Sequence, residues 1–296
     1  MWVEQGIISP DQADRIREYE NHGASADRIA LEVLGYIGGA LILAAGAFIF
    51  NDVWPDLGRV ARIVTLVIVT GLLVATGILA TSNRGDPRRR LGQLALMLAV
   101  PTAGVAAELA FEVAELGRAA IGGFAVATVT ALIFYVRRSS APQHLALFAA
   151  AIGLAISAVF QPSGSTSDVL MSLVVLGFGI AWAFLATQDK LRPMALGEVL
   201  GAGAATVGSI AFVSTVEQAP AFAMIAFVVT SAGIIWFGLS RDRTALIVSG
   251  MVGVIVYVPW TIAETLGDSV GAPLALLTAG ALLVGSAAAL MRRQRT

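Results

Sequence analysis

After residue 28, long apolar runs alternate with short polar stretches along the rest of the chain. The first run, Ile29 to Phe50, is about 22 residues long, enough at about 1.5 Å per residue to cross a hydrocarbon core of roughly 30 Å. Runs of similar length follow at about Ala61–Thr81, Leu91–Phe111, Arg118–Val136, His144–Phe160, Val169–Thr187, Met194–Ser214, Ala221–Ser240, Thr244–Thr265 and Gly271–Met291. The pattern predicts an all-α, polytopic membrane helical bundle of about ten transmembrane helices.

The polar positions divide this chain into three parts. Residues 1–28 are expected to form a cytosolic N-terminal helical element. Ser9-Pro10-Asp11-Gln12 reads as a helix start, with Ser9 as N-cap, Pro10 at the first helical position and Gln12 closing a capping box. That helix is expected to run to about Asn21, with Ala13, Ile16 and Tyr19 on a narrow apolar stripe. It can lie against the membrane face or its own bundle, or dock a cytosolic protein partner. Residues 29–291 form the ten-span domain, and 292–296 a basic cytosolic tail. The first 28 residues lack the basic start and cleavage site of a signal peptide, so the first span is expected to be retained.

Charge orients this array. All of the 19 Lys and Arg residues except Arg59, Arg62 and Arg118 fall on one side if the N-terminus is cytosolic. This satisfies the positive-inside rule with both termini in the cytosol. Composition then narrows the chemistry: 57% of residues are hydrophobic, only 13% are charged and none is cysteine. A disulfide, a thiolate metal site and a thiol nucleophile are excluded. No basic domain exists to bind nucleic acid. No nucleotide loop, zinc-spaced histidine pair or nucleophile elbow occurs, so no cofactor and no metal is expected, and an enzyme is the least supported class.

Two stretches echo each other. Glu32-Val33-Leu34-Gly35 in the first span recurs as Glu198-Val199-Leu200-Gly201 in the seventh, and Val100-Pro101 with Glu108 is answered by Val258-Pro259 with Glu264. Arg137-Arg138 ends the fourth span as Arg292-Arg293 ends the tenth. A parallel internal repeat, spans 1–4 on spans 7–10, is one reading of these echoes. Chance matching in a chain dominated by Ala, Gly, Val and Leu is the other.

The segment Trp2-x-x-x-Gly6-Ile7-Ile8-Ser9-Pro10-Asp11-Gln12-Ala13-Asp14-Arg15-Ile16, the Glu32-to-Gly39 opening of the first span and the Trp54-Pro55 turn with Arg62 resemble the bacterial predicted membrane proteins of domain-of-unknown-function family 2157. The likeness covers roughly residues 1–80. It implies an integral protein of the bacterial cytoplasmic membrane, and it supplies no activity and no catalytic residue.

Candidate chemistry rests on carboxylates, because an ionised acid near a bilayer centre costs about 2.5–3.5 kcal/mol even on lenient insertion scales. Glu32 and Glu198 lie near helix starts, where interface and helix dipole both favour negative charge. Glu108, Glu112 and Glu115 recur at spacings of four and three, which places them on one helical face, and Glu264 follows Pro259. Glu108, Glu112, Glu264, Glu32 and Glu198 are therefore the candidate ion- or substrate-binding residues, with an acidic rim or a capping role as the structural alternative. Pro101 and Pro259 are expected helix kinks. Gly35 with Gly39, and Gly197 with Gly201, have the spacing that lets membrane helices approach closely. Two function classes follow: a small-solute or ion transporter using membrane-embedded glutamates, or a non-transporting scaffold or sensor with a partner-binding N-terminal helix. Lipid bilayer is the expected environment under both, and the oligomeric state is left open.

Overall fold

A computed structural model of the chain describes residues 3, 5–15, 41, 53–82, 86–160, 168–215, 220–266, 273, 277 and 280. Every regular element among them is helical, as lipid demands of a chain whose backbone must satisfy its own hydrogen bonds. The chain divides into two units, Met1–Gly58 and Arg59–Thr296.

In the first unit the capping box is formed as the sequence predicts. Gln12 N donates to Ser9 Oγ at 3.2 Å, and Ser9 N donates to Gln12 Oε1 at 2.9 Å. The helix starts at Pro10. The remainder of the expected helix, from Ile16 to Asn21, lies outside the described residues, as do Glu32, Gly35, Gly39 and nearly all of the first span. The Trp54-Pro55-Asp56 turn is a short 3-10 helix, closed by Leu57 N donating to Trp54 O at 3.3 Å.

The second unit contains eight long helices among the described residues: α1 (Arg59–Ser82), α2 (Asp86–Val113), α3 (Ala119–Arg137), α4 (Ala141–Val159), α5 (Asp168–Thr187), α6 (Met194–Thr215), α7 (Pro220–Ser240) and α8 (Thr244–Leu266). They occupy the second to ninth apolar runs. Six of them, α1 to α6, contain stretches long and apolar enough to cross a membrane, and Phe227–Ser240 and Thr244–Ile255 are shorter apolar helical segments. The tenth run lies almost wholly outside the described residues. Helix α4 begins at Ala141, ahead of its apolar run, because Pro142 starts it after Ser140 and because Gln143 and His144 are buried by protein rather than by lipid.

Packing follows membrane rules, with small residues at close helix contacts and many large apolar ones left facing outward. Along α3 the buried stripe is Gly123, Ala127, Ala131 and Tyr135, each four residues apart. On α1, Val60, Val64, Val67, Ile68, Leu72 and Leu79 stay exposed. Lipid tails are as apolar as these side chains, so no hydrophobic force buries them; close backbone approach and van der Waals contact decide which face turns inward. The α5–α6 pair illustrates this. A Cβ on Gly179 would run into the Ala205 backbone nitrogen, and one on Gly201 into the Ala183 backbone nitrogen.

Neighbours in sequence are neighbours in space: α1 packs on α2, α2 on α3, α3 on α4, and α5 most extensively on α6. Helix α6 also meets α4, α7 and α8. Short reversals between antiparallel helices therefore gather the α3–α4, α5–α6 and α7–α8 turns at one end, which is also the end rich in arginine.

Candidate functional site

Two of these turns are built alike. At the end of α5, Lys190 N donates to Leu185 O at 3.2 Å and Asp189 N to Ala186 O at 3.1 Å; at the end of α7, Arg243 N donates to Gly238 O at 2.8 Å and Asp242 N to Leu239 O at 3.3 Å. Each is a Schellman closure whose αL position is filled by aspartate, with φ 59° at Asp189 and 56° at Asp242. Glycine is the usual occupant; aspartate is among the few side chains that tolerate this region, and it adds a carboxylate to the turn.

These closures fix Asp189 and Arg243, and the next turn of helix brings in Glu198. Arg243 Nε lies 3.6 Å from Glu198 Oε1, and Arg243 Nη2 lies 3.6 Å from Asp189 Oδ1. Met194 Sδ accepts from Arg243 Nη1 at 3.8 Å. The Glu198 side chain is 3% exposed and Arg243 29%. One guanidinium thus joins the starts of α6 and α8 to the α5–α6 turn. Glu198 Oε1 is paired in charge but accepts no hydrogen bond. A desolvated carboxylate in that condition has acceptor capacity that a proton or small cation could meet.

Beside it stands a buried aromatic cluster. Trp182 Nε1 on α5 donates to His144 Nε2 on α4 at 3.1 Å, which makes Nε2 the acceptor and assigns the proton to Nδ1. Nδ1 makes no hydrogen bond of normal geometry, although the Arg192 backbone lies beside the ring. Tyr135 meets His144 edge-on at 5.5 Å between centroids, and its hydroxyl accepts from the Arg192 backbone N–H. Phe178 stacks on Trp182 at 5.3 Å. Gly197 leaves room for this arrangement, since a Cβ there would sit 2.9 Å from His144 Cε1. Gln143 completes the polar layer, donating from Nε2 to Gln93 O on α2 at 2.9 Å.

The other predicted residues lie elsewhere. Glu108 is half-buried on α2, against the backbone of α3, where a Cβ on Gly123 would be 2.8 Å from Glu108 Cβ. Glu112, one turn on, is exposed and lines a polar recess with Arg59, Glu115 and Arg118. The expectation that Glu108, Glu112 and Glu115 share a helical face is corrected for Glu115: α2 ends at Val113, and Glu115 sits in the following turn with φ 53°. Glu108 is 20 residues beyond Arg88, about 30 Å at helical rise, so it belongs to the end of the bundle opposite Glu198. Pro101 lies inside α2 and Pro259 inside α8. Glu264 is on α8 by its backbone, and its side chain and that of Pro259 are outside the described residues. Among the described residues no group of three or more His, Cys, Asp or Glu is arranged to hold a metal.

Sequence reasoning found Glu198 but not its partners. Arg243 counted only among the basic residues that orient the chain, Asp189 was not singled out, and His144 only opened an apolar run. The available signal was local: Asp189 and Asp242 each stand two residues past the end of an apolar run, at the position where a helix closes.

No curated protein and no solved structure matches the chain. A family model described as predicted membrane protein (DUF2157) matches residues 1–143, well past the stretch that carries the sequence resemblance. Glu108, Glu112 and the capped N-terminal helix fall inside the match, and the Glu198–Arg243 pair falls beyond it. Over residues 1–143 the chain is similar to the DUF2157 family of predicted membrane proteins.

Proposed function

We propose that this protein moves a small solute or ion across the bacterial cytoplasmic membrane, using membrane-embedded glutamates as binding or coupling groups. The observation that supports this reading is Glu198, an acid that is almost fully buried in a membrane-spanning helix and paired to Arg243 at more than hydrogen-bond distance. Ionisable groups inside a helical membrane bundle are costly, and substrate and ion paths are where proteins keep them. Glu108, half-buried near the opposite end of the bundle, would serve the outer half of the same path. In this reading the chain has ten spans with both termini cytosolic, and spans 1–4 repeat as spans 7–10 with Glu108 and Glu264 in equivalent places. Reconstituted protein that dissipates an imposed proton or cation gradient faster than empty liposomes would support it; no dissipation under any such gradient would overturn it.

The second reading, a scaffold or sensor, draws on the N-terminal element. Its capping box makes a helix start that does not depend on packing, and Ile7 beside it is exposed. A free apolar side chain next to a preformed helix suits docking of a cytosolic protein. Transport activity that survives deletion of residues 1–24, with loss of a bound partner, would assign that element to docking alone.

A further inference from the structure

Between α2, α3 and α4 lies a cavity of about 300 Å³ with an apolar lining that includes Met97, Pro101, Phe124, Ala127, Ala146 and Ala149. It is open at the surface, where Leu98, Phe124 and Leu145 are exposed. It exists because alanines stand where larger side chains would fill the space between the three helices. Its depth is set by helical rise. Leu145 is about 6 Å and Ala150 about 14 Å along α4 from Ala141, while Pro101 is about 20 Å along α2 from Arg88. The cavity therefore spans one leaflet and reaches the middle of a hydrocarbon core roughly 30 Å thick. Five exposed arginines stand at the shallow end: Arg88, Arg89 and Arg90 at the start of α2, and Arg137 and Arg138 at the end of α3. No ion pair joins any of them to a described acid. Gln143 ties the start of α4 to α2 at this same end, so the arginines and the mouth of the groove are held together.

We infer that this groove is a binding site for an anionic phospholipid, with one acyl chain in the alanine-lined cavity and the phosphate headgroup among Arg137, Arg138 and the Arg88–Arg90 cluster. This site is separate from the Glu198–Arg243 pair and does not depend on transport. Hydrophobicity alone cannot select one lipid from a bilayer, because every tail is equally apolar. Selection has to come from shape, which the alanines provide, and from charge, where each basic residue near the surface is worth about 1 kcal/mol toward an anionic headgroup, or about fivefold in affinity.

The test is native mass spectrometry of the full chain in detergent, titrated with phosphatidylglycerol and, separately, with phosphatidylcholine of the same acyl chains. The inference expects retained phosphatidylglycerol, and a preference over phosphatidylcholine that falls about 25-fold in the Arg137→Gln/Arg138→Gln variant. Ala149→Phe, at an exposed position of the lining, should fill the groove and abolish retention of both lipids at this site. Equal retention of the two lipids by the unaltered chain, or an unchanged preference in the arginine variant, would overturn it. If Ala149→Phe fails to fold, the arginine variant, altered only at exposed positions, still decides. Unchanged retention in a folded Ala149→Phe would show that the lipid sits elsewhere and would also overturn the site.

Discussion

Glu198 Oε1 lies 3.6 Å from Arg243 Nε, and the two residues are not equally buried: the glutamate is sealed in the bundle while the arginine keeps part of its surface. Removing one partner therefore has a different consequence on each side. Arg243→Gln leaves a carboxylate inside without its counter-charge and should cost about 3 kcal/mol, the low end for a broken buried pair. Glu198→Gln leaves an arginine that still faces Asp189 and should cost about 1 kcal/mol. The double variant should be more stable than Arg243→Gln alone. Thermal unfolding in detergent micelles checks the order; equal losses for the two single variants would mean the pair is not buried as described.

Close backbone approach between α5 and α6 makes a second outcome calculable. Gly201→Ala puts a methyl group against the Ala183 backbone nitrogen, and backbone cannot rotate away as a side chain can. The expected loss is about 3 kcal/mol, at the upper end for overpacking. Gly203→Ala, on the same helix with open space at its Cβ, should be close to neutral. A comparison of melting temperatures tests both, and a similar loss at the two positions would contradict the packing.

The N-terminal helix depends on its cap. Ser9→Ala removes the acceptor of the Gln12 N–H and should destabilise the helix by about 1 kcal/mol, while Ser9→Asp should retain most of it. Hydrogen exchange at Gln12 and the following amides reads this out in the full chain. Unchanged protection in Ser9→Ala would mean that packing, not capping, starts the helix.

Absence of native cysteine makes topology directly measurable. If both termini are cytosolic, as the arginine clusters imply, Ser139→Cys between Arg138 and Ser140 should react with an impermeant thiol reagent in inverted vesicles and not in intact cells. Ser165→Cys, on the next loop, should do the reverse. The opposite pattern would reverse the orientation read from the arginine clusters.

Much of the fold could be read from local pattern. The apolar runs between residues 61 and 265 became helices because lipid leaves the backbone no alternative, and the capping box at Ser9 and Gln12 formed because both partners lie within one turn. The site was less readable, since its contacts join residues far apart in sequence. Arg243 meets Glu198 only because two Schellman turns and the α6–α8 contact bring separate hairpin ends together. His144 stood in the sequence only at the head of an apolar run, whereas in the fold Trp182, Tyr135 and the space at Gly197 enclose it. Glu115 was misplaced because helical spacing was carried past Val113, where an αL residue ends the helix.

The most direct test of Glu198 as the coupling group is flux into proteoliposomes carrying an internal pH dye, under imposed proton, sodium and potassium gradients. The unaltered protein should dissipate at least one gradient faster than empty liposomes, Glu198→Gln should fall to the empty-liposome rate while remaining folded, and Glu198→Asp should retain partial flux. A folded Glu198→Gln protein that is as fast as the unaltered one would contradict the assignment.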